Sequence, residues 1–258
     1  MPDLLRSSAS EKGVTGTAPP GATDERSAAQ AVQRMFDQIA PRYDLLNHVL
    51  SMNVDRLWWR RTARAFRHIL TRNEARVLDL CAGTGDMAVA LRGAGWRQTS
   101  EAQIYALDFS HQMLQHGLEK YAEKTIQPVE ADALRLPLPD SAMDLVVSAF
   151  GFRNLANYDA GLRELRRVLK PGGELGILDF SEPGGPLGKL YGFYFRKILP
   201  RIGTMISGVR GPYEYLPASV RSFPTPQQML ARMEAAGFKD VSWKPYTFGI
   251  AGLYHAKK

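Results

Sequence analysis

Val77-Leu-Asp-Leu-Cys-Ala-Gly-Thr-Gly-Asp86 decides the fold. A short apolar run of buried-strand type leads into two glycines one residue apart, and a helical stretch follows. Glycine lets the backbone approach a ligand closely, and the start of a helix presents free amides. Gly83-Thr-Gly85-Asp-Met-Ala88 even satisfies the pattern G-x-G-x-x-G/A, which is weak by itself.

Beyond this stretch, strands and helices alternate. Gln103–Asp108 reads as a second strand, and Ser110 is a good N-cap for the helix that follows. Ile126–Ala131, Asp144–Ala149 and Glu174–Phe180 read as three more strands. Between the last two, Leu162, Leu165 and Leu169 share one helix face, and Lys170-Pro-Gly-Gly173 stops that helix, with glycine as a left-handed cap. Such alternation implies an α/β fold with a parallel sheet covered on both faces. Thr225–Ala236 reads as a helix capped by Gly237, and Phe238–Tyr246 with Thr247–His255 as a closing hairpin.

The flanks differ from this core. Residues 1–26 are rich in Ser, Thr, Gly, Ala and Pro without apolar periodicity, and are expected to be a disordered tail. Residues 27–258 then form a single domain. Val32, Met35, Phe36 and Ile39 open a helical cover over 27–75, and the aromatic segment 183–224 is expected to cover the carboxyl ends of the strands. The single cysteine, Cys81, excludes an internal disulfide framework and fits a reducing compartment. The longest stretch without Asp, Glu, Lys or Arg is Pro245–Ala256, too short to span a bilayer, so the expected location is the cytoplasm. Net charge is +7, unevenly placed: residues 76–181 hold fourteen acidic and eleven basic side chains, whereas 27–75 hold four and eight, and 182–221 two and six. The basic segments lack the dense aromatic-interleaved stripe of a nucleic-acid binder. They suit an anionic membrane surface, or scattered surface charge.

Asp108 ends the second strand, where a carboxylate can accept both hydroxyls of a ribose; that suits a nicotinamide dinucleotide as well. Glu130-Ala-Asp132-Ala133, at the end of the third strand, adds a second acid. Taken with the acidic glycine loop, the Asp-Leu-Val strand and Leu169-Lys-Pro-Gly-Gly173, this order resembles class I S-adenosylmethionine-dependent methyltransferases. The resemblance implies a Rossmann-like seven-stranded, mostly parallel sheet of order 3-2-1-4-5-7-6 with helices on both faces. It also implies S-adenosylmethionine as cofactor. By analogy Asp79 contacts the methionine amine (or caps the next helix), and Gly83, Thr84 and Gly85 form the loop. Asp108 and Phe109 hold the ribose side, and Asp132 and Ala133 the adenine. Met113 packs beneath it, and Cys81 is a small buried residue in place of a loop glycine.

Met35-Phe-Asp-Gln-Ile-Ala-Pro-Arg-Tyr-Asp-Leu-Leu-Asn-His-Val-Leu-Ser-Met52, Arg56-Leu-Trp-Trp-Arg60, Phe150-Gly-Phe-Arg-Asn154 and Leu199-Pro-Arg-Ile-Gly203 resemble the ubiquinone/menaquinone biosynthesis C-methyltransferases of the UbiE/MenG type. This implies C-methylation of a prenylated quinol, demethylmenaquinol or a ubiquinol precursor, by an enzyme without a metal. A ring hydroxyl must lose its proton first, and a phenol pKa is about 10, so the site must stabilise a developing phenolate. Arg153, Asn154 and Tyr43 are the expected catalytic residues, with His48 as a second candidate base beside an Arg-polarised water. Arg153 could instead pair with a carboxylate such as Asp44. Where some members carry Ser before the Phe-Gly-x-Arg-Asn motif, this chain has Ala149; Ser148 is the candidate replacement, although strand neighbours face opposite ways. The lipid acceptor makes peripheral contact with the inner face of an anionic membrane an expectation, and the oligomeric state, a homodimer included, stays open. A metal-dependent catechol O-methyltransferase, a nicotinamide oxidoreductase and a non-catalytic partner with a vestigial pocket are the competing classes.

Overall fold

The computed structural model describes residues 15–42, 53–95, 102–181, 183 and 211–258. In chain order these hold α1 (Glu25–Ile39), α2 (Val54–Ala65), α3 (Arg67–Leu70), β1 (Arg76–Leu80), α4 (Asp86–Gly95), β2 (Gln103–Asp108), α5 (His111–Glu123), β3 (Ile126–Glu130), β4 (Met143–Ala149), α6 (Tyr158–Val168), β5 (Leu169–Phe180), α7 (Gly211–Ser222), α8 (Pro226–Ala235), β6 (Lys239–Tyr246) and β7 (Ala251–Lys257). The strands make one sheet in the order β3-β2-β1-β4-β5-β7-β6, as the resemblance implied. Only β7 runs antiparallel to its neighbours, β5 and β6.

Strand alternation explains the two cores. Val77, Leu145 and Val147 face Trp58, Ile69, Met87 and Leu91 from α2, α3 and α4, and Phe66 at the α2–α3 junction. Leu78, Leu80, Val146 and Ile177 face Leu162, Leu165 and Val168 of α6 and Met229 and Met233 of α8. The covering helices start on side-chain caps: Asp24 and Ser27 form a capping box for α1, and Ser110 accepts the Met113 amide for α5.

Three expectations change. Residues 15–24, assigned to the tail, include buried Thr17, whose amide donates to the Leu155 carbonyl at 2.8 Å. Helix α6 does not end on a left-handed glycine: its cap, Leu169, is already extended and starts β5. Lys170–Gly173 instead fall where the β4–β5 register shifts, from Met143↔Leu169 to Leu145↔Glu174. The closing hairpin turns through a short 3-10 element, Thr247–Gly249, so β7 begins later than the alternation suggested. Residues 43–52 and most of 183–210 lie outside the described part. Among the described residues, no helix is long and apolar enough to cross a membrane.

Candidate active site

The carboxyl ends of β1, β2 and β4 open onto a cleft of about 700 Å³. On the β2–β3 side its lining includes Gly83, Asp108, Phe109, Asp132 and Ala133; beyond β4 it includes Ala149, Phe150, Asn154 and Leu155. Ala29 and Phe36 of α1 complete the wall.

The glycine loop is held by tertiary contacts. The Gly83 amide donates to Asp108 at 2.8 Å, and the Gly83 carbonyl accepts the Tyr121 hydroxyl at 2.8 Å. Gly85 is left-handed, with φ +92°, and a Cβ there would lie 2.3 Å from the Tyr121 ring, so any side chain would push the loop off α5. Gly85 and Thr84 therefore shape the loop without lining the cleft: Thr84 is buried, 3.4 Å from the Lys120 ammonium.

Asp108 also accepts the Ser110 amide at 2.9 Å. Burial raises its pKa to about 6, against the pull of the Ser110 and Gly83 amides, and Asp37 adds repulsion. Asp37 reaches this corner by accepting the Ser110 hydroxyl at 2.5 Å. Asp132 is exposed, and the Leu134 amide orients its carboxylate at 2.9 Å. Asp79 is different. It is fully buried, and neither carboxylate oxygen has a hydrogen-bond partner. Burial pushes its pKa well up, against the pull of the Ala88 backbone amide at the start of α4, which approaches the carboxylate without meeting hydrogen-bond geometry; Asp108 and Asp86 push further. A buried acid without a partner is costly unless a cation completes it. Met113 lines the cleft as a packing residue. Cys81 lines it too, but burial and the charges of Asp108 and Asp79 drive its thiol pKa upward, away from a reactive thiolate.

The catalytic assignments fare unevenly. Tyr43 and His48 lie outside the described residues, as does Asp44. Asn154 lines the cleft. Arg153 does not: it is buried, with its guanidinium 3.0 Å from Asp179 and its backbone amide 3.1 Å from the same carboxylate. Its Nη1 also donates to the Phe150 carbonyl, and the guanidinium lies 5.3 Å from the Phe180 ring centroid. The ion-pair reading thus describes Arg153, with Asp179 as the carboxylate. Ser148 is not at the cleft either. It shares the α6 face of β4, fully buried with an unpartnered hydroxyl, while Ala149 lines the cleft. Strand alternation forbids the swap.

Several residues escaped sequence reading. Asp179 left a trace, a lone charge inside Ile177-Leu-Asp-Phe180. Gln33, whose side chain donates to the Phe109 carbonyl at 2.6 Å, and Tyr215, whose hydroxyl donates to Asn154 Oδ1 at 3.1 Å, left none.

The sequence profile of the ubiE/COQ5 methyltransferase family matches residues 23–258. A demethylmenaquinone methyltransferase of Deinococcus radiodurans is 46% identical over 242 residues, 93% of this chain and 97% of that protein. One from Thermus thermophilus is 46% identical over 223 residues, 85% and 98% respectively. The ubiquinone/menaquinone biosynthesis C-methyltransferase UbiE of Geotalea daltonii is 41% identical over 234 residues, 89% and 97%. Among solved structures, an S-adenosylmethionine-dependent methyltransferase from Aquifex aeolicus superposes with TM-score 0.54 at 20% identity, over 76% of this chain and 88% of that one. The [4+2]-cyclase SpnF superposes with TM-score 0.65 at 18% identity, over 95% and 98%. At such identities these structures share the fold alone.

Proposed function

Because the chain belongs to the ubiE/COQ5 methyltransferase family, we propose that it methylates a ring carbon of a prenylated quinol, demethylmenaquinol foremost and a ubiquinol precursor second. The observation that carries this reading is Asp79, a buried carboxylate without a partner at the foot of a glycine loop. It fits a cofactor that brings its own ammonium. Asp79, fully buried and set behind the residues that line the cleft, holds that amine. Among the lining residues, Asp108 and Gly83 hold the ribose, Asp132 and Ala133 the adenine, with Phe109 and Met113 packing alongside. Bound there, S-adenosylmethionine supplies an electrophilic methyl group.

The acceptor enters on the Phe150–Asn154 side. Alignment is the main requirement of a direct displacement, and the mostly apolar walls exclude water from the ring. Asn154 donates from its amide to the ring oxygen as negative charge develops there. Arg153 is a positioning residue: it grips the Phe150 carbonyl and Asp179, and so sets the turn that carries Asn154. Labelled-methyl transfer from S-adenosylmethionine to demethylmenaquinol and to 2-polyprenyl-6-methoxy-benzoquinol tests the reading. Label is expected in the naphthoquinol, and incorporation into neither quinol would refute it.

We infer, for a lipid acceptor, a peripheral contact with an anionic bilayer at this end of the sheet. Phe248 is 83% exposed on a left-handed residue of the β6–β7 turn, and Leu57 is 59% exposed on α2. The Trp58 indole donates to Thr247 at 2.7 Å, which joins helix and turn. Trp58 and Phe180 pack their rings, tilted or edge-on, with each other and with Phe150 of the cleft wall. Arg56, Arg60, Arg61 and Arg64 are exposed on the same helix, whereas its lone acid, Asp55, is buried. Anchoring apolar tips inside a cationic collar suits an interface. The protein is expected to co-sediment with phosphatidylglycerol vesicles at low salt, and Phe248→Glu to cut the bound fraction severalfold. An unbound wild type at low salt would sink this reading.

A further inference from the structure

The cleft wall is backed by a segment that the family profile does not reach. That profile begins at residue 23, yet the segment before it is packed against the acceptor side. Gly16 lies so close to the chain after the 3-10 turn Phe152–Asn154 that a Cβ would sit 2.1 Å from the Leu155 carbonyl oxygen. Next to it, the buried Thr17 donates its amide to that carbonyl at 2.8 Å. The Thr17 hydroxyl is 2.7 Å from the Tyr215 hydroxyl of α7, which donates to Asn154 Oδ1 at 3.1 Å.

The chemistry of these groups sets the direction of the relay. The Phe150 carbonyl can only accept, and it lies 3.5 Å from Asn154 Nδ2, so the amide end of Asn154 faces Phe150 and its oxygen faces Tyr215. Tyr215 has one proton, spent on Asn154, so Thr17 donates to Tyr215. Burial raises the Tyr215 pKa and keeps the phenol neutral, and hence a donor, at physiological pH.

We propose that Thr17 and Tyr215 are positioning residues for the acceptor: the relay locks the Asn154 amide so that its remaining N–H, not its oxygen, is offered to the cleft. A flipped Asn154 would present an acceptor and repel a developing phenolate. The relay favours the ionised ring oxygen over the ground-state hydroxyl, so its loss should lower kcat more than it raises KM. This inference rests on the quinol reading above.

Tyr215→Phe removes one proton donor and keeps the ring. It is expected to lower kcat about tenfold, with cofactor affinity and Tm close to wild type, since roughly that factor follows from loosened alignment. In an Asn154→Ala background the same change should have no further effect. Thr17→Val should follow Tyr215→Phe in direction, and Thr17→Ser should restore activity. An unchanged kcat in Tyr215→Phe, or full additivity with Asn154→Ala, would overturn the relay. A second readout needs no turnover: by NMR, the Asn154 side-chain amide protons should exchange with solvent more slowly in the wild type than in Tyr215→Phe, and equal exchange overturns the relay too. A wild type that methylates no quinol while showing this protection would reject the quinol reading and leave the relay standing.

Discussion

Asp79→Asn is expected to stabilise the cofactor-free protein and to weaken binding of S-adenosylhomocysteine by a hundredfold or more. Asp79 is 0% exposed, and both its oxygens lack a partner. Its folded-state pKa is raised, mainly by burial, so the native protein holds this proton more tightly than the unfolded chain. Stability is therefore lost as pH rises from the unfolded carboxylate range toward the folded pKa, and at neutral pH the group is a burden to the empty protein. Asparagine keeps the shape and removes the charge. On the proposed reading a bound cofactor reverses the sign, because its ammonium would give Asp79 the missing counter-ion. Removing one member of a buried pair costs about 3–5 kcal/mol, equivalent to two or more decades of affinity. Calorimetric titration and thermal melts of both proteins check the two halves. Equal affinities in the two proteins would remove Asp79 from the cofactor site. Asp108 adds a pH signature to the same titration. Its pKa in the empty site is about 6, and only the carboxylate can accept two hydroxyls. As pH falls through 6, affinity should drop by about tenfold per unit.

Arg153→Ala is expected to destabilise the protein by about 3–5 kcal/mol, because it strands the fully buried Asp179 without its cation. Burial raises the Asp179 pKa, and Arg153 is the strongest influence pulling it back down. Any loss of turnover in this variant would then travel with a loss of fold. The double replacement Arg153→Met with Asp179→Leu removes both charges at similar volume and should recover most of the lost stability without restoring full activity, since the grip on the Phe150 carbonyl is gone. Denaturant melts of the two variants decide the matter. A singly substituted protein of wild-type stability that has lost turnover a hundredfold would return Arg153 to a direct role at the reacting ring.

The core of the fold was legible because its signals are local. The run Val77–Leu80 into Gly83 and Gly85 combines strand, turn and helix within ten residues, and Ser110 caps its helix by a bond to an amide three residues on. The place of Asp108 and Asp132 at the cleft was legible for the same reason, since each stands at the end of a strand that the apolar pattern marks. Even the turning of the Ser148 side chain away from the cleft could be read in advance, because residue parity on a strand is a property of the backbone.

The acceptor side obeyed no such rule. Arg153 meets Asp179 only because β4 and β5 are paired, whereas the motif pattern offered Asp44 as the carboxylate. Thr17 lies in a stretch of Thr, Gly, Ala and Pro whose composition predicts a tail; it is buried through one backbone bond and one hydroxyl, neither of which leaves an apolar signature. Tyr215 stands 61 residues from Asn154. By itself, then, the sequence determined the strands and helices, the glycine loop and two acids that line the cleft, Asp108 and Asp132, since those follow from short-range backbone geometry and burial. Only the tertiary structure decided which cation is spoken for, which acid is left unpaired and which remote hydroxyl orients Asn154. Those are questions of which side chains share a few ångströms of low-dielectric space, and in that space a missing or added partner changes the role of a charged group altogether.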